Sequence, residues 1–334
     1  MKQHLLRILV LESMHAEGIE RLLREAEVEV RLGLTRAEQL ALVADAEAIV
    51  VRSVTAVDRE LLDGAPKLRV IGRAGTGTDN IDVASAAERG IEVLTVPEGN
   101  ATAAAEFAVL QMLALCRHLV PMVQAASARD FRRDRFQGVE LAAQTVGIVG
   151  VGRIGQRVAQ RLQPFGCRLV GFDIDPALRP RFSELGVEWM ESLDALLSLA
   201  DIVTLHVPKT PQTAGMIGRA QLARMKRGAR LVNTSRGGML DEAELLRAID
   251  SGHLAGAALD VLAQEPPFDL PPEQVRYANP LLNHPRILVT LHAAASVEEA
   301  QRRIALDLAQ RMLRALGSAS APTQTAGLGG RSLR

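Results

Sequence analysis

Residues 146–155 read Val-Gly-Ile-Val-Gly-Val-Gly-Arg-Ile-Gly, and this run limits the possible folds more than any other in the chain. A short apolar strand pattern enters Gly-x-Gly-x-x-Gly, and a helical pattern follows at once over 154–162. Gly150 permits a tight turn, Gly152 lets a pyrophosphate approach the backbone, and Gly155 lets helix and strand pack closely. The free N–H groups at the start of such a helix, here around Arg153 and Ile154, attract phosphate. The next strand pattern ends in Asp173, 18 residues beyond Gly155, where a carboxylate can accept both ribose hydroxyls of an adenosine. Asp175 follows and no arginine is adjacent, so a 2′-phosphate would meet two carboxylates. NAD is expected rather than NADP.

The motif stands in the second of two alternating series. In the first, strand patterns fall at 7–11, 28–32, 48–52, 68–72 and 91–96. Helical patterns fall at 16–26, 35–45, 57–62 and 83–89, the second opened by a Thr35/Glu38 capping box. In the second series, strands are expected at 146–149, 168–173, 202–206, 231–234, 255–260 and 287–290. Alternation at this pace predicts an α/β chain of two doubly wound parallel-sheet domains. If the final helix, 297–316, packs back on the first series, the second is an insertion with hinges near Pro97 and His292. The expected division is a flavodoxin-like substrate domain of 1–98 with 293–316, and an inserted Rossmann domain of 99–292. His292 would then stand at the mouth of a cleft between domains. The stretch 317–334, rich in Gly, Ser, Ala and Thr, reads as a flexible tail.

Composition excludes several function classes. Lysine plus arginine and aspartate plus glutamate both number 39 in 334 residues, so no nucleic-acid partner is indicated. Two cysteines, Cys116 and Cys167, make neither a disulfide framework nor a zinc pattern, and no metal is expected. They point to a reducing, cytoplasmic setting. The most apolar helical pattern, 101–116, carries Glu106 and Gln111 and reads as a core helix, not a membrane span. The N-terminal apolar run is broken by Arg7 and reads as a first strand, not a signal peptide.

Three further strand tips carry chemistry. Leu231-Val-Asn-Thr-Ser-Arg-Gly-Gly ends a strand in polar residues and Arg236, which can bind a carboxylate bidentately. The run 257–267 leaves Asp260 at a tip and Glu265 beside prolines, and 288–296 ends a strand in His292, with Ser296 and Glu299 as a helix cap. In open α/β sheets, ligands lie at the carboxyl ends of strands, so all three tips would face one crevice with the glycine turn.

On these stretches, and on Val51-Arg-Ser53 and Arg73-Ala-Gly-Thr-Gly-Thr-Asp-Asn-Ile-Asp82, the chain resembles the D-isomer-specific 2-hydroxy acid dehydrogenases from about residue 49 to 316. It is most similar to the branch whose substrate is phosphorylated. The resemblance implies a catalytic set of Arg236, Glu265 and His292. His292 would be the general acid/base, Glu265 its partner on the other ring nitrogen, and Arg236 the carboxylate ligand. It implies cofactor contacts at Thr76, Gly150, Gly152, Arg153, Ile154, Gly155, Asp173, Thr234, Ser235, Arg236, Asp260, His292 and Ala294. It places Arg52, Ser53, Gly75 and Asn100 on substrate loops. It also implies a homodimer or higher homo-oligomer held by an arm at about 120–141. Arg133 and Arg135 in that arm are expected to clamp a substrate phosphate, reaching across from the partner subunit. Leu291 stands where the family usually has proline, Ala294 where a glycine is usual, and Ala103 where serine is common. Two other readings stay open: reduction of another small 2-oxo acid such as glyoxylate or hydroxypyruvate, and a co-repressor that keeps the NAD site and acts by binding partners. The formate dehydrogenase branch pairs its histidine with glutamine, unlike Glu265.

Overall fold

The computed structural model describes residues 6–318 apart from Pro267 and Asp269. The chain divides into two compact units, one of residues up to Gly99 together with those from Gln301, the other Asn100–Ala300.

The first unit runs β1 (Leu6–Val10), α1 (Ala16–Leu23), β2 (Ala26–Val30), α2 (Arg36–Val43), β3 (Ala48–Val51), α3 (Arg59–Asp63), β4 (Val70–Arg73), α4 (Val83–Glu88) and β5 (Glu92–Leu94). The strands pair in parallel in the order β2-β1-β3-β4-β5. All four residues of β3, Ala48-Ile-Val-Val51, are buried, as a central parallel strand covered on both faces requires. The Thr35/Glu38 capping box forms as expected. The third helix starts later than the apolar pattern suggests, because Asp58 caps it and Val57 pairs with Ile81.

The second unit runs α5 (Ala101–Cys116), α6 (Leu119–Ser127), β6 (Thr145–Val149), α7 (Arg153–Leu162), β7 (Arg168–Phe172), α8 (Arg179–Glu184), β8 (Val187–Trp189), α9 (Leu193–Leu199), β9 (Ile202–Leu205), α10 (Arg219–Arg224), β10 (Ala229–Asn233), α11 (Glu242–Asp250), β11 (Leu254–Leu259) and β12 (Ile287–Val289). Its seven strands, all parallel, lie in the order β12-β11-β10-β9-β6-β7-β8. The three-residue β8 was not legible beforehand; it is too short to show a period. Helix α5 is largely buried, with Gln111 only 1% exposed. Among the described residues no single helix is long and apolar enough to cross a membrane; α5 and α6 pass such a test only as a pair, bent by 62°.

The last helix, α12 (Glu298–Ser318), returns to the first unit. Ile304, Leu308, Met312 and Leu316 join Ile8, Val10, Val50 and Val70 in one core. Met312 lies directly over Gly72, where any side chain would collide with its sulfur. The helix begins one residue later than a cap at Ser296 would place it. It also runs through Gly317 and Ser318, which are therefore helical rather than part of a tail; 319–334 lie outside the described residues.

Candidate active site

Because the seven strands are parallel, their carboxyl ends share one edge of the sheet. The strand order reverses between β6 and β9, the position at which open α/β sheets bind ligands. The glycine turn stands there. Gly150 has φ +86°, and a Cβ on it would meet the His206 carbonyl oxygen at 2.8 Å. On Gly155 a Cβ would collide with the Gly150 carbonyl oxygen, so helix α7 packs too closely on the turn for any side chain. Gly152 is different: its φ is −74° and a Cβ would meet nothing within 4 Å. Neither backbone nor packing demands glycine there, whereas a phosphate lying on the helix N-terminus does. Asp173 accepts the Val151 N–H at 2.9 Å and the Asp175 N–H at 3.1 Å, which ties the turn to the end of β7. Beside it Ile174 is 90% exposed, an apolar surface suited to an adenine ring. At the tip of β10, the Thr234 hydroxyl is buried with no hydrogen-bond partner among the described residues. A helix N-terminus without a side-chain cap, a carboxylate at the next strand tip and a buried hydroxyl with no partner among the described residues together fit a dinucleotide.

The β10 tip is built by Asn233. Its side chain accepts the Ser235 N–H at 3.0 Å and donates to the Arg236 carbonyl at 2.9 Å, while the Ser235 hydroxyl donates to the Leu205 carbonyl at 2.5 Å. Arg236 is half-buried, and its guanidinium donates to the Ser235 carbonyl at 2.7 Å. A Cβ on Gly237 would collide with the Leu262 carbonyl oxygen, so the glycine lets the loop carrying Glu265 lie against the arginine turn.

His292 and Glu265 meet. The Nδ1 of His292 and Oε2 of Glu265 are 3.0 Å apart, and Glu265 Oε1 accepts the Leu262 N–H at 3.3 Å. The Phe268 ring stands edge-on to the imidazole at 5.9 Å between centroids. Among the described residues nothing bonds Nε2, which leaves that nitrogen for a reacting proton.

His292 itself has φ +53°, in the left-handed region. Such a conformation costs a non-glycine residue about 1–2 kcal/mol, although histidine adopts it more often than most. Asp260 holds it. Its main-chain carbonyl accepts the His292 N–H at 2.8 Å. Its carboxylate, 1% exposed, accepts the Thr290 hydroxyl at 2.6 Å and the N–H groups of Ala293 and Ala294 at 2.9 Å each. Gln111 of α5 donates to the same Thr290 hydroxyl at 3.1 Å. Asp260, expected as a cofactor contact, is therefore the anchor of the histidine turn. This role and those of Thr290 and Gln111 were missed; a lone glutamine on an apolar helix was the one available signal. The two departures in this turn are accommodated. Leu291 is 85% exposed and its N–H has no partner among the described residues, and Ala294 is buried without a positive φ.

His206, at the tip of β9, is buried with no partner for its Nδ1 among the described residues, and Nε2 lies 2.9 Å from the Thr204 hydroxyl. Burial pushes its imidazole pKa down to about 3.

The remaining expected residues stand on other elements. Asn100 flanks the start of α5 without capping it. Arg133 and Arg135 form an exposed 3₁₀ turn, and the guanidinium of Arg135 is paired with Asp130, as is that of Arg132. Those arginines hold the Asp130 carboxyl well below the usual range, Arg132 chiefly. In the first unit, Gly75 has φ +150° with the Arg73 guanidinium packed over it, and the Thr76 hydroxyl lies 3.5 Å from the Val96 carbonyl. Arg52 and Ser53 follow β3, and their backbone N–H groups both donate to Glu12, a residue the sequence reading passed over.

A glycine turn at the switch point, a carboxylate at the next strand and a histidine–carboxylate pair on the same edge define a dinucleotide-dependent redox protein. The chain belongs to the D-isomer specific 2-hydroxyacid dehydrogenases, whose NAD-binding domain model matches residues 109–294. It is 41% identical over 313 residues to D-3-phosphoglycerate dehydrogenase of Methanocaldococcus jannaschii, covering 93% of this chain and 58% of that one. It thus spans little more than half the length of the curated relatives it matches. The TT0316 protein of Thermus thermophilus superposes with a TM-score of 0.82 at 36% identity, over 94% of this chain and 97% of that one. The D-lactate dehydrogenase of Aquifex aeolicus, solved with NAD and lactic acid, superposes with a TM-score of 0.83 at 26% identity, over 94% and 96%.

Proposed function

We propose that the protein oxidises D-3-phosphoglycerate at its C2 hydroxyl to 3-phosphohydroxypyruvate with NAD, a step toward serine. What carries the reading is the pair of His292 and Glu265, bonded through Nδ1 with nothing on Nε2 among the described residues, on the sheet edge that also presents Arg236. Bound NAD supplies the acceptor for the C2 hydride. Glu265 fixes the Nδ1–H tautomer, so Nε2 takes the hydroxyl proton, and the imidazolium that results is stabilised by the adjacent carboxylate. Arg236 holds the substrate carboxylate and polarises the oxygen on C2 as it becomes a carbonyl. The likeness to D-3-phosphoglycerate dehydrogenases over most of this chain supports the phosphorylated substrate.

Arg52, Ser53, Gly75 and Asn100 complete the substrate site in this reading, with the exposed Arg133 as the freer of the two phosphate-clamp arginines. We place the protein as a homodimer through residues 120–141, where Val120, Val123 and Phe131 are 38%, 57% and 78% exposed. Two buried free cysteines agree with a reducing cytoplasm.

The test is turnover by the purified chain. D-3-phosphoglycerate with NAD should give NADH, and His292→Ala should abolish most of it while NAD affinity holds. Faster reduction of glyoxylate or hydroxypyruvate with NADH would move the chain to the reductase reading. NAD binding without turnover of any 2-hydroxy acid would favour the partner-binding one.

A further inference from the structure

We infer that Glu12 is a positioning residue that sets the Arg52–Thr55 loop for substrate. This deepens the dehydrogenase reading and rests on it. In the first unit the strand order reverses between β1 and β3, so the two neighbouring strands carry connections that leave in opposite directions. A crevice at the carboxyl ends of such a pair is where an open α/β sheet of this order binds ligands. Glu12 follows the end of β1, and Arg52 follows the end of β3.

The Glu12 carboxylate fills that place with four backbone donors. Oε1 accepts the N–H of Arg52 at 2.9 Å, of Val54 at 3.3 Å and of Thr55 at 2.8 Å. Oε2 accepts the N–H of Ser53 at 3.1 Å and of Val54 at 3.2 Å. Successive amides converging on one anion form a concavity with fixed positive character. Among the described residues no cation lies within ion-pair distance of Glu12, so the amides alone balance its charge. The loop is held from the far side too: buried Thr55 gives its carbonyl to the Asn80 side chain at 2.6 Å. The Arg52 guanidinium donates to the Ser13 hydroxyl at 3.2 Å, next to Glu12 in the chain.

Two consequences follow from chemistry. A loop whose four amides all serve Glu12 cannot offer them to a substrate, so it must recognise an anionic substrate through the side chains of Arg52 and Ser53. The direction of those side chains is then set by a carboxylate 40 residues earlier in the chain. Glu12→Gln keeps the shape but turns one acceptor oxygen into a donor facing N–H groups. The loop should loosen without any change at the strand tips of the other unit.

The experiment pairs kinetics with amide hydrogen exchange. In Glu12→Gln, exchange at residues 52–55 should accelerate, and KM for the 2-hydroxy acid should rise by roughly tenfold or more, the effect of losing one charge-assisted contact. The turnover number and NAD affinity should stay close to those of the unmodified protein. Glu12→Gln should add little to KM in an Arg52→Ala background, since it acts through that residue. Faster exchange with unchanged KM would make Glu12 a purely structural anchor and overturn the assignment, as would unchanged exchange. If the unmodified protein turns over no 2-hydroxy acid, the dehydrogenase reading itself falls. The exchange measurement, which needs no substrate, then reports only whether Glu12 anchors the loop, so the two failures are told apart.

Discussion

Asp260→Asn isolates the device that holds the histidine. The substitution is nearly isosteric, so packing at this 1%-exposed site should survive. One of its oxygens becomes an NH₂ that must face either the Ala294 N–H or the pair formed by Thr290 and Ala293, all of them donors in the native turn. One or two charge-assisted hydrogen bonds, each worth about 1.5–3 kcal/mol, are lost, and the survivors fall to neutral strength, about 1 kcal/mol. The expected destabilisation is about 2–5 kcal/mol, read as a drop in the thermal midpoint. The left-handed His292 costs about 1–2 kcal/mol that this network must offset, so its weakening should release the turn. A loss of about 2–3 kcal/mol in positioning corresponds to a fall of roughly 30- to 150-fold in turnover number. That stays at or below the lower part of the two to four orders of magnitude expected for His292→Ala, the ceiling for any effect routed through the histidine. Adding Asp260→Asn to His292→Ala should therefore lower turnover little further. Steady-state kinetics on the four proteins, with NAD affinity measured separately, completes the assay. Full activity in Asp260→Asn at the expected loss of stability would refute the argument. So would a loss that multiplies undiminished in the double variant.

Other expectations can be checked independently. Gly152→Ala, with open space for its methyl, should fold with an unchanged midpoint yet bind NAD more weakly, whereas Gly237→Ala should lose stability because its methyl collides with the Leu262 carbonyl; equal behaviour of the two variants in a melt would contradict this. Asp173→Ala should erode the preference for NAD over NADP in catalytic efficiency, and equal use of both by the unmodified protein would remove Asp173 as the discriminator. Burial lowers the His206 pKa to about 3, so between that value and the usual 6.5 the unfolded chain binds a proton that the folded chain refuses. Stability from this group is thus complete above pH 6.5 and is lost as pH falls toward 3. His206→Asn should have a flatter melting profile over that interval, and parallel profiles would show that the imidazole is not buried in solution.

What the sequence alone determined is what short stretches of chain can encode. The glycine turn, Asp173 and the Thr35/Glu38 cap were legible because their meaning depends on neighbours a few residues apart and on regular alternation of strand and helix. His292, Glu265 and Arg236 stood out as strand-end residues for the same reason, but whether they act together depended on strand order. The tertiary structure lays β10, β11 and β12 side by side and brings Glu265 to His292 across 27 residues of chain. It alone showed that Asp260 serves the histidine turn, 30 or more residues away, and that Glu12 gathers amides as far as Thr55, 43 residues on. A hydrogen bond needs partners within about 3 Å. No local pattern announces which distant carboxylate will supply one, because that distance is set by how the sheet orders its strands.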